Sequence, residues 1–252
     1  MPSSTPQSTP LAPSPSGRSY RYLDLVMAAF VAILIVSNVA SSAKIVDMGF
    51  SLPVFNIPLV FDGGTLLFPL SYVFGDIMTE VYGFRASRRV ILTGFVALTL
   101  SAVVFFVLRI LPGEAEWEGY AGGAAYDAIL GGMSSGGIVL ASLAGYWVGE
   151  FSNSMVLSRM KVLMKGRLLW VRTIGSTLVG EFLDSFIFFL VGCATGVFPR
   201  ELFWSLIATN CFLKCAIEGA LTPVTYRIVH LLKKRENVDV YDVGVRYSPF
   251  MQ

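Results

Sequence analysis

The fold class this sequence predicts is an all-α integral membrane protein with six transmembrane helices, and three observations predict it. Of 252 residues, 54% are hydrophobic and 14% charged, with mean hydropathy +0.66, outside the range of ordinary soluble domains. Apolar runs close to the length needed to cross a bilayer recur along the chain. Lys and Arg are dense in every second connection between those runs, as the retention of positive charge in cytoplasmic loops requires. The net charge of +2 is too small to suggest nucleic-acid binding.

Residues 1–19, rich in Pro, Ser and Thr, bury too little to offset their ordering entropy and are expected to form a disordered tail. No cleavable signal peptide fits there, because the next apolar run is too long and lacks a small-residue cleavage pattern. Residues 20–235 form the membrane domain and 236–252 a cytoplasmic tail. The expected spans are Tyr22 to Ala43, Gly64 to Tyr82, Arg89 to Leu111, Met133 to Val156, Leu169 to Val191 and Phe203 to Ile228. The second is the least apolar, and Gly63, Gly64 and Pro69 predict a kinked or partly broken helix.

Orientation follows from the basic residues. Fifteen of nineteen fall on one side: Arg18 and Arg21; Arg85, Arg88 and Arg89; Arg159, Lys161, Lys165, Arg167 and Arg172; Arg227, Lys233, Lys234, Arg235 and Arg246. Lys44, Arg109 and Arg200 fall on the other, and Lys214 lies within a span. Both termini are therefore expected in the cytoplasm, with the chain in a bacterial inner membrane.

The first outer connection, Asp47 to Asp62, reads as a compact loop. Its role is either a lid over the bundle or an interfacial loop whose Phe50, Phe55 and Phe61 touch headgroups. Gly137, Ala141, Gly145 and Gly149 form a small-residue ladder that admits a close helix neighbour, either within the chain or across a homodimer. The strings GEFSNS from Gly149 and GEFLDS from Gly180 resemble each other. Cys193, Cys211 and Cys215 are odd in number and lack histidine companions, so they predict neither a disulfide framework nor a metal centre.

Polar groups inside the spans point to function, because an ionised side chain at bilayer depth costs roughly 2.5–3.5 kcal/mol on insertion scales. Asn38 and Lys44 mark the first helix. Tyr72, Asp76 and Glu80 share one face of the second. Glu181 and Asp184 are three apart on the fifth, and Asn210, Lys214 and Glu218 repeat every four residues on the sixth. Lys214 either pairs with Glu218 or an acid of a neighbouring helix, or serves a ligand. Glu150 lies near the end of its helix, where it is expected to reach water. With Glu150 counted, the bundle holds more acids than Lys44 and Lys214 neutralise, so some acids hold protons or await a ligand. Mixed donors and acceptors suit a heterocycle better than a bare metal ion.

The string FDGGTLLFPLSYVFGDIMTEVYGFRASRR resembles the queuosine precursor transporter family, also called the vitamin uptake transporters. SNVASSAK in the first helix, GSTLVGEFLDSFIFF in the fifth and CFLKCAIEGALTPVTYRIVHLLKK in the sixth are similar to the same family. The resemblance implies import of 7-cyano-7-deazaguanine, 7-aminomethyl-7-deazaguanine or queuine for tRNA modification, with no catalysis and no cofactor. It carries over to Asn38, Asp76, Glu80, Glu181, Asp184, Lys214 and Glu218. Asp184 or Glu181 would take the donor edge of the base, Lys214 or Asn38 its carbonyl, and Tyr72 its ring face. Asp76 with Glu80 would receive an aminomethyl cation or carry a coupling proton. The family also resembles the substrate-binding subunits of energy-coupling-factor vitamin transporters. No GxxxxGK[ST] motif is present, so transport is self-contained or driven by a separate energising module.

Competing classes fit less well. An intramembrane aspartyl protease lacks its GxGD pattern, and a cation channel would present repeated rings rather than mixed groups. Uptake of another vitamin-like heterocycle is the nearest alternative.

Overall fold

The computed structural model describes residues 20–52 and 57–250, so the expected N-terminal tail lies outside the described residues. Helix α1, Leu23–Ala43, fully buries Val26, Phe30, Leu34 and Ser37, one stripe at helical spacing. The connection after it is a two-stranded antiparallel hairpin, not a compact loop: β1, Ile45–Leu52, pairs with β2, Ile57–Asp62, from Ile45 opposite Asp62 to Leu52 opposite Ile57. Its runs of β-branched and aromatic residues favour paired strands. Phe55 and the side chains of Phe50 and Phe61, on which the lid and headgroup readings rest, lie outside the described residues.

A single 3-10 turn, Gly63–Leu66, leads into α2, Phe68–Tyr82. Cβ atoms added at Gly63 and Gly64 would stand 2.6 and 2.5 Å from the carbonyl oxygens of Ala40 and Ser37, so glycine is what lets the chain cross α1. Pro69 falls in the first turn of α2, where its missing N–H costs nothing. The expected kink is thus a helix start, and the span begins at Phe68 rather than Gly64. Twelve of the fifteen residues of α2 are buried, which makes it the enclosed central helix.

Gly83, at φ +82°, turns the chain into α3, Phe84–Ile110. Two helices were not expected: α4, Ala115–Tyr120, capped by the Glu114 carboxylate 3.0 Å from two backbone N–H groups, and α5, Gly122–Ser134. Extended backbone at Ser135 separates α5 from α6, Gly136–Leu163. Then follow α7, Leu169–Ala194, and α8, Phe203–Glu236. Among the described residues, four stretches are long and apolar enough to cross a membrane: α1, α3, the α5–α6 run and α7. Helix α2 is too short, and α8 carries Lys214, Glu218 and Arg227.

The small-residue ladder works within the chain. Helices α6 and α7 cross where Gly149 meets Gly180, and a Cβ at either would stand 3.1 Å from the carbonyl oxygen of the other. Gly145 packs on Asp184 and Phe188, and Gly137 on Thr195 and Val197. The two similar GEF strings are therefore the two sides of one helix crossing, and α7 fills the seam that a second copy would need.

After α8 the chain folds back as a strap over one end of the bundle. Val240 N–H donates to Val81 O at 3.3 Å, and Asp242 accepts from Phe84 N at 2.8 Å and Ser158 Oγ at 2.6 Å. Arg88 donates to the carbonyls of Ser248 and Phe250. At the same end the Glu236 carboxylate accepts from Arg21 N, Tyr22 N and Tyr82 Oη, tying the start of α1 to the ends of α2 and α8.

Two outcomes follow. Gly180→Val forces a Cβ to within 2.7 Å of that of Asn153, and overpacking should cost about 1–3 kcal/mol or more. Gly219→Ala, with open space around it, should leave the melting temperature in detergent unchanged or raised. Burial raises the Asp239 carboxyl, but hydrogen bonds from Lys161 and Lys233 outweigh it and hold the group below its ordinary range. A depressed carboxyl stabilises the folded form above its ordinary pKa of about 3.9 and loses that stabilisation as pH falls further. The protection of the Val240 amide, its exchange measured against a free peptide at the same pH, should therefore stay high at neutral pH and fall below pH ~4.

Candidate functional site

A cavity of about 600 Å³ lies between α1, α2, α6, α7 and α8, towards the hairpin end of the bundle. Five of the residues expected to bind substrate line it: Asn38, Tyr72, Asp184, Asn210 and Lys214. Helix α5 contributes Gly132 and Met133, and Ser42 of α1 holds α5 in place through bonds to Ile129 O and Gly132 N. Phe188, Phe189 and Phe198 form an apolar wall, with edge-on or tilted rings 5.1–5.6 Å apart.

Lys214 is the cavity's cation. Its Nζ lies 2.6 Å from Asp184 Oδ2 and 2.9 Å from Glu181 Oε2, and 5.6 and 5.8 Å from the ring centres of Phe68 and Tyr72. The partner is thus an acid pair of the neighbouring helix, not Glu218. Glu181 is fully buried behind this pair and does not line the cavity. Asn38 donates one amide N–H to Leu34 O at 2.8 Å, leaving the second N–H and the carbonyl oxygen for the cavity.

Beneath the cavity the polar stripe of α2 continues without solvent. Asp76 accepts from Asn153 Nδ2 at 2.9 Å, and Glu218 takes the Thr177 hydroxyl. One turn on, the Thr79, Ser87 and Ser154 hydroxyls bond mutually at 2.8–2.9 Å. Asp76 and Glu218 therefore support the site from below and do not line it.

Glu80 is placed elsewhere than expected. Its Oε1 lies 2.8 Å from Arg172, 2.7 Å from Lys233 and 3.7 Å from Lys161, at the strap end of the bundle. Both lysines also reach Asp239, at 2.5 and 2.8 Å. Arg172 and Lys161 are 1% and 2% exposed, although the charge count places them in a cytoplasmic loop. The available signal was Arg172, a basic residue inside the expected fifth span. Lys44, counted as a bundle cation, is exposed at the end of α1.

Sequence reasoning missed Glu150. Instead of reaching water it is 1% exposed, lines the cavity, and has no hydrogen-bond partner on either oxygen among the described residues. Tyr146 and Ser185 line the cavity beside it. Cys211 and Cys215 approach to 4.0 Å as free thiols, and among the described residues no His, Cys, Asp and Glu side chains are grouped as metal ligands.

The polar helices and cavity coincide with a family match: residues 62–228 fit the model described as "Putative vitamin uptake transporter". The chain belongs to this family. The family is described as one of uptake transporters, and the recurrent apolar helices make this chain a multi-pass membrane protein. It is 25% identical over 175 residues to a "Probable queuosine precursor transporter" of Bacillus subtilis, covering 69% of this chain and 73% of that protein. It is 27% identical over 128 residues to a protein of the same description from Haemophilus influenzae, covering 51% and 50%. The aligned part thus spans half the length of the Haemophilus protein. No solved structure matches the chain.

Glu80→Gln removes the anion that Arg172, Lys161 and Lys233 share. Breaking a buried pair leaves uncompensated charge and should cost about 3–5 kcal/mol. A large drop in melting temperature in detergent is expected, and an unchanged value would show the cluster to be energetically idle.

Proposed function

We propose that the chain is an inner-membrane importer of 7-deazaguanine precursors of queuosine: 7-cyano-7-deazaguanine, 7-aminomethyl-7-deazaguanine or the free base queuine. The observation that carries this reading is the composition of the cavity. Acids, a lysine, asparagine amides and aromatic rings converge on one space, and a planar heterocycle rich in donors and acceptors satisfies all of them. The names of the two bacterial relatives support the substrate class.

In this reading α2 and α8, whose length or charge would bar a lone lipid-exposed helix, cross within the bundle, so that α1, α2, α3, α6, α7 and α8 make six crossings with both termini cytoplasmic. The shared anchor of Arg21, Tyr22 and Tyr82 on Glu236 favours an even number. This plan is the one that the resemblance to the substrate-binding subunits of energy-coupling-factor transporters implies. Tyr72 and the Phe188 wall receive the ring face, and Lys214 or Asn38 the base carbonyl. The cavity lies at the outer end, while the Glu80 cluster and the strap close the inner one. The small-residue ladder is used internally, so this reading needs no dimer. An energising partner, if one is used, would dock on the cytoplasmic face.

The test is rescue of queuosine in tRNA, in cells unable to make it, at low external concentrations of each precursor. Rescue by one or more is the expected result; failure with all three despite confirmed insertion would overturn this substrate and favour another vitamin-like heterocycle. Asp184→Asn and Lys214→Ala should each reduce uptake to background while leaving inserted protein at normal levels. Normal uptake by both would remove the cavity from the mechanism.

A further inference from the structure

Every acid near the cavity has been accounted for except Glu150. Asp184 and Glu181 share Lys214, Asp76 takes Asn153, Glu218 takes Thr177, and Glu80 is held by three cations. Glu150 is the counterpart of Glu181 across the Gly149–Gly180 crossing, each glutamate following its glycine. One member of this pair has a lysine and the other has nothing.

The space around Glu150 is built. Gly75 of α2 faces it, and a Cβ there would stand 2.9 Å from Oε2, so a missing side chain makes room for the carboxylate. The residue lines the cavity, and both its carboxylate oxygens are buried and free among the described residues. An ionised carboxylate removed from water without donors is costly, so this one is complete only when something brings donors to it.

We infer that Glu150 is the specificity-determining residue of the cavity, accepting two parallel N–H bonds from a ligand edge that carries a ring N–H beside an exocyclic amino group. A carboxylate with two free oxygens matches that edge as it matches the fork of an arginine. A guanine-type base has the edge; a hypoxanthine-type base lacks the amino group and leaves one oxygen buried and unpaired. The donor edge expected at Asp184 or Glu181 thus moves to Glu150, because Lys214 already occupies those acids. This inference rests on the proposed function for its ligand class and adds the residue that selects within it.

The test is equilibrium binding to the purified protein in lipid nanodiscs, using 7-cyano-7-deazaguanine and its counterpart lacking the 2-amino group. The intact protein should bind the amino base about 10- to 100-fold more tightly, the value of one hydrogen bond to a charged group. Glu150→Gln presents one acceptor and one donor, and should bring the two affinities to within about threefold of each other. Gly75→Ala, which crowds the carboxylate without removing it, should narrow the preference in the same direction. Equal binding of the two bases by the intact protein, or full preference in a folded Glu150→Gln, would overturn the inference and leave the proposed function standing. Binding of neither base by the intact protein would overturn both.

Discussion

The enclosure of α2 is the constraint on which the rest of the structure depends. A helix surrounded by other helices has no access to water or headgroups, so each polar side chain on it must find its complement on a neighbour. Tyr72 is answered by Lys214 and the cavity, Asp76 by Asn153, Thr79 by Ser87 and Ser154, and Glu80 by Arg172, Lys161 and Lys233. The positions of α6, α7 and α8 are thus fixed by chemistry as well as by packing. The α6–α7 crossing at two glycines brings those helices close enough to supply it.

Much of this was legible. Polarity within apolar runs singled out Asp184, Lys214, Asn210, Asn38 and Tyr72, and all five meet at one cavity. Four-residue spacing of small residues located the tightest helix contact, and the similar GEF strings were its two halves. What was not legible has a common cause: spacing along one helix reports which residues share a face, but not the depth at which a neighbour ends. Tyr72, Asp76 and Glu80 do share a face, yet they serve three different levels. Glu80 meets a lysine and an arginine that a count by segment assigns to a loop, because Arg172 and Lys161 occupy helix ends that turn inward. Glu150 was misplaced for the converse reason, since α6 runs on to Leu163 and carries its acid into the middle of the bundle. Helix α5 and the hairpin were hidden by the mixed composition of their segments.

The two ends of the bundle differ in kind. At the hairpin end the helices part around a space walled by aromatic rings and polar groups. At the opposite end, acids and bases of α2, α6, α7 and α8 are drawn together with the chain that follows α8. An ionic closure of this sort is firm while its charges remain matched and dry, and opens at little further cost once water enters, because exposed ion pairs contribute little.

The strap over that end joins parts of the chain far apart in sequence: Asp242 bonds to Phe84 and Ser158, Val240 to Val81, and Asp239 to Lys161. All of those partners are synthesised before it. During translation, therefore, the ends of α2 and α6 must wait with Phe84 N–H undocked and the Lys161 ammonium without its closer anion, Asp239, until residues 239–242 emerge. The bundle is inserted helix by helix from its beginning, but the strap end is completed last, so the interval between insertion and completion is when the half-built bundle is most open to quality-control proteases.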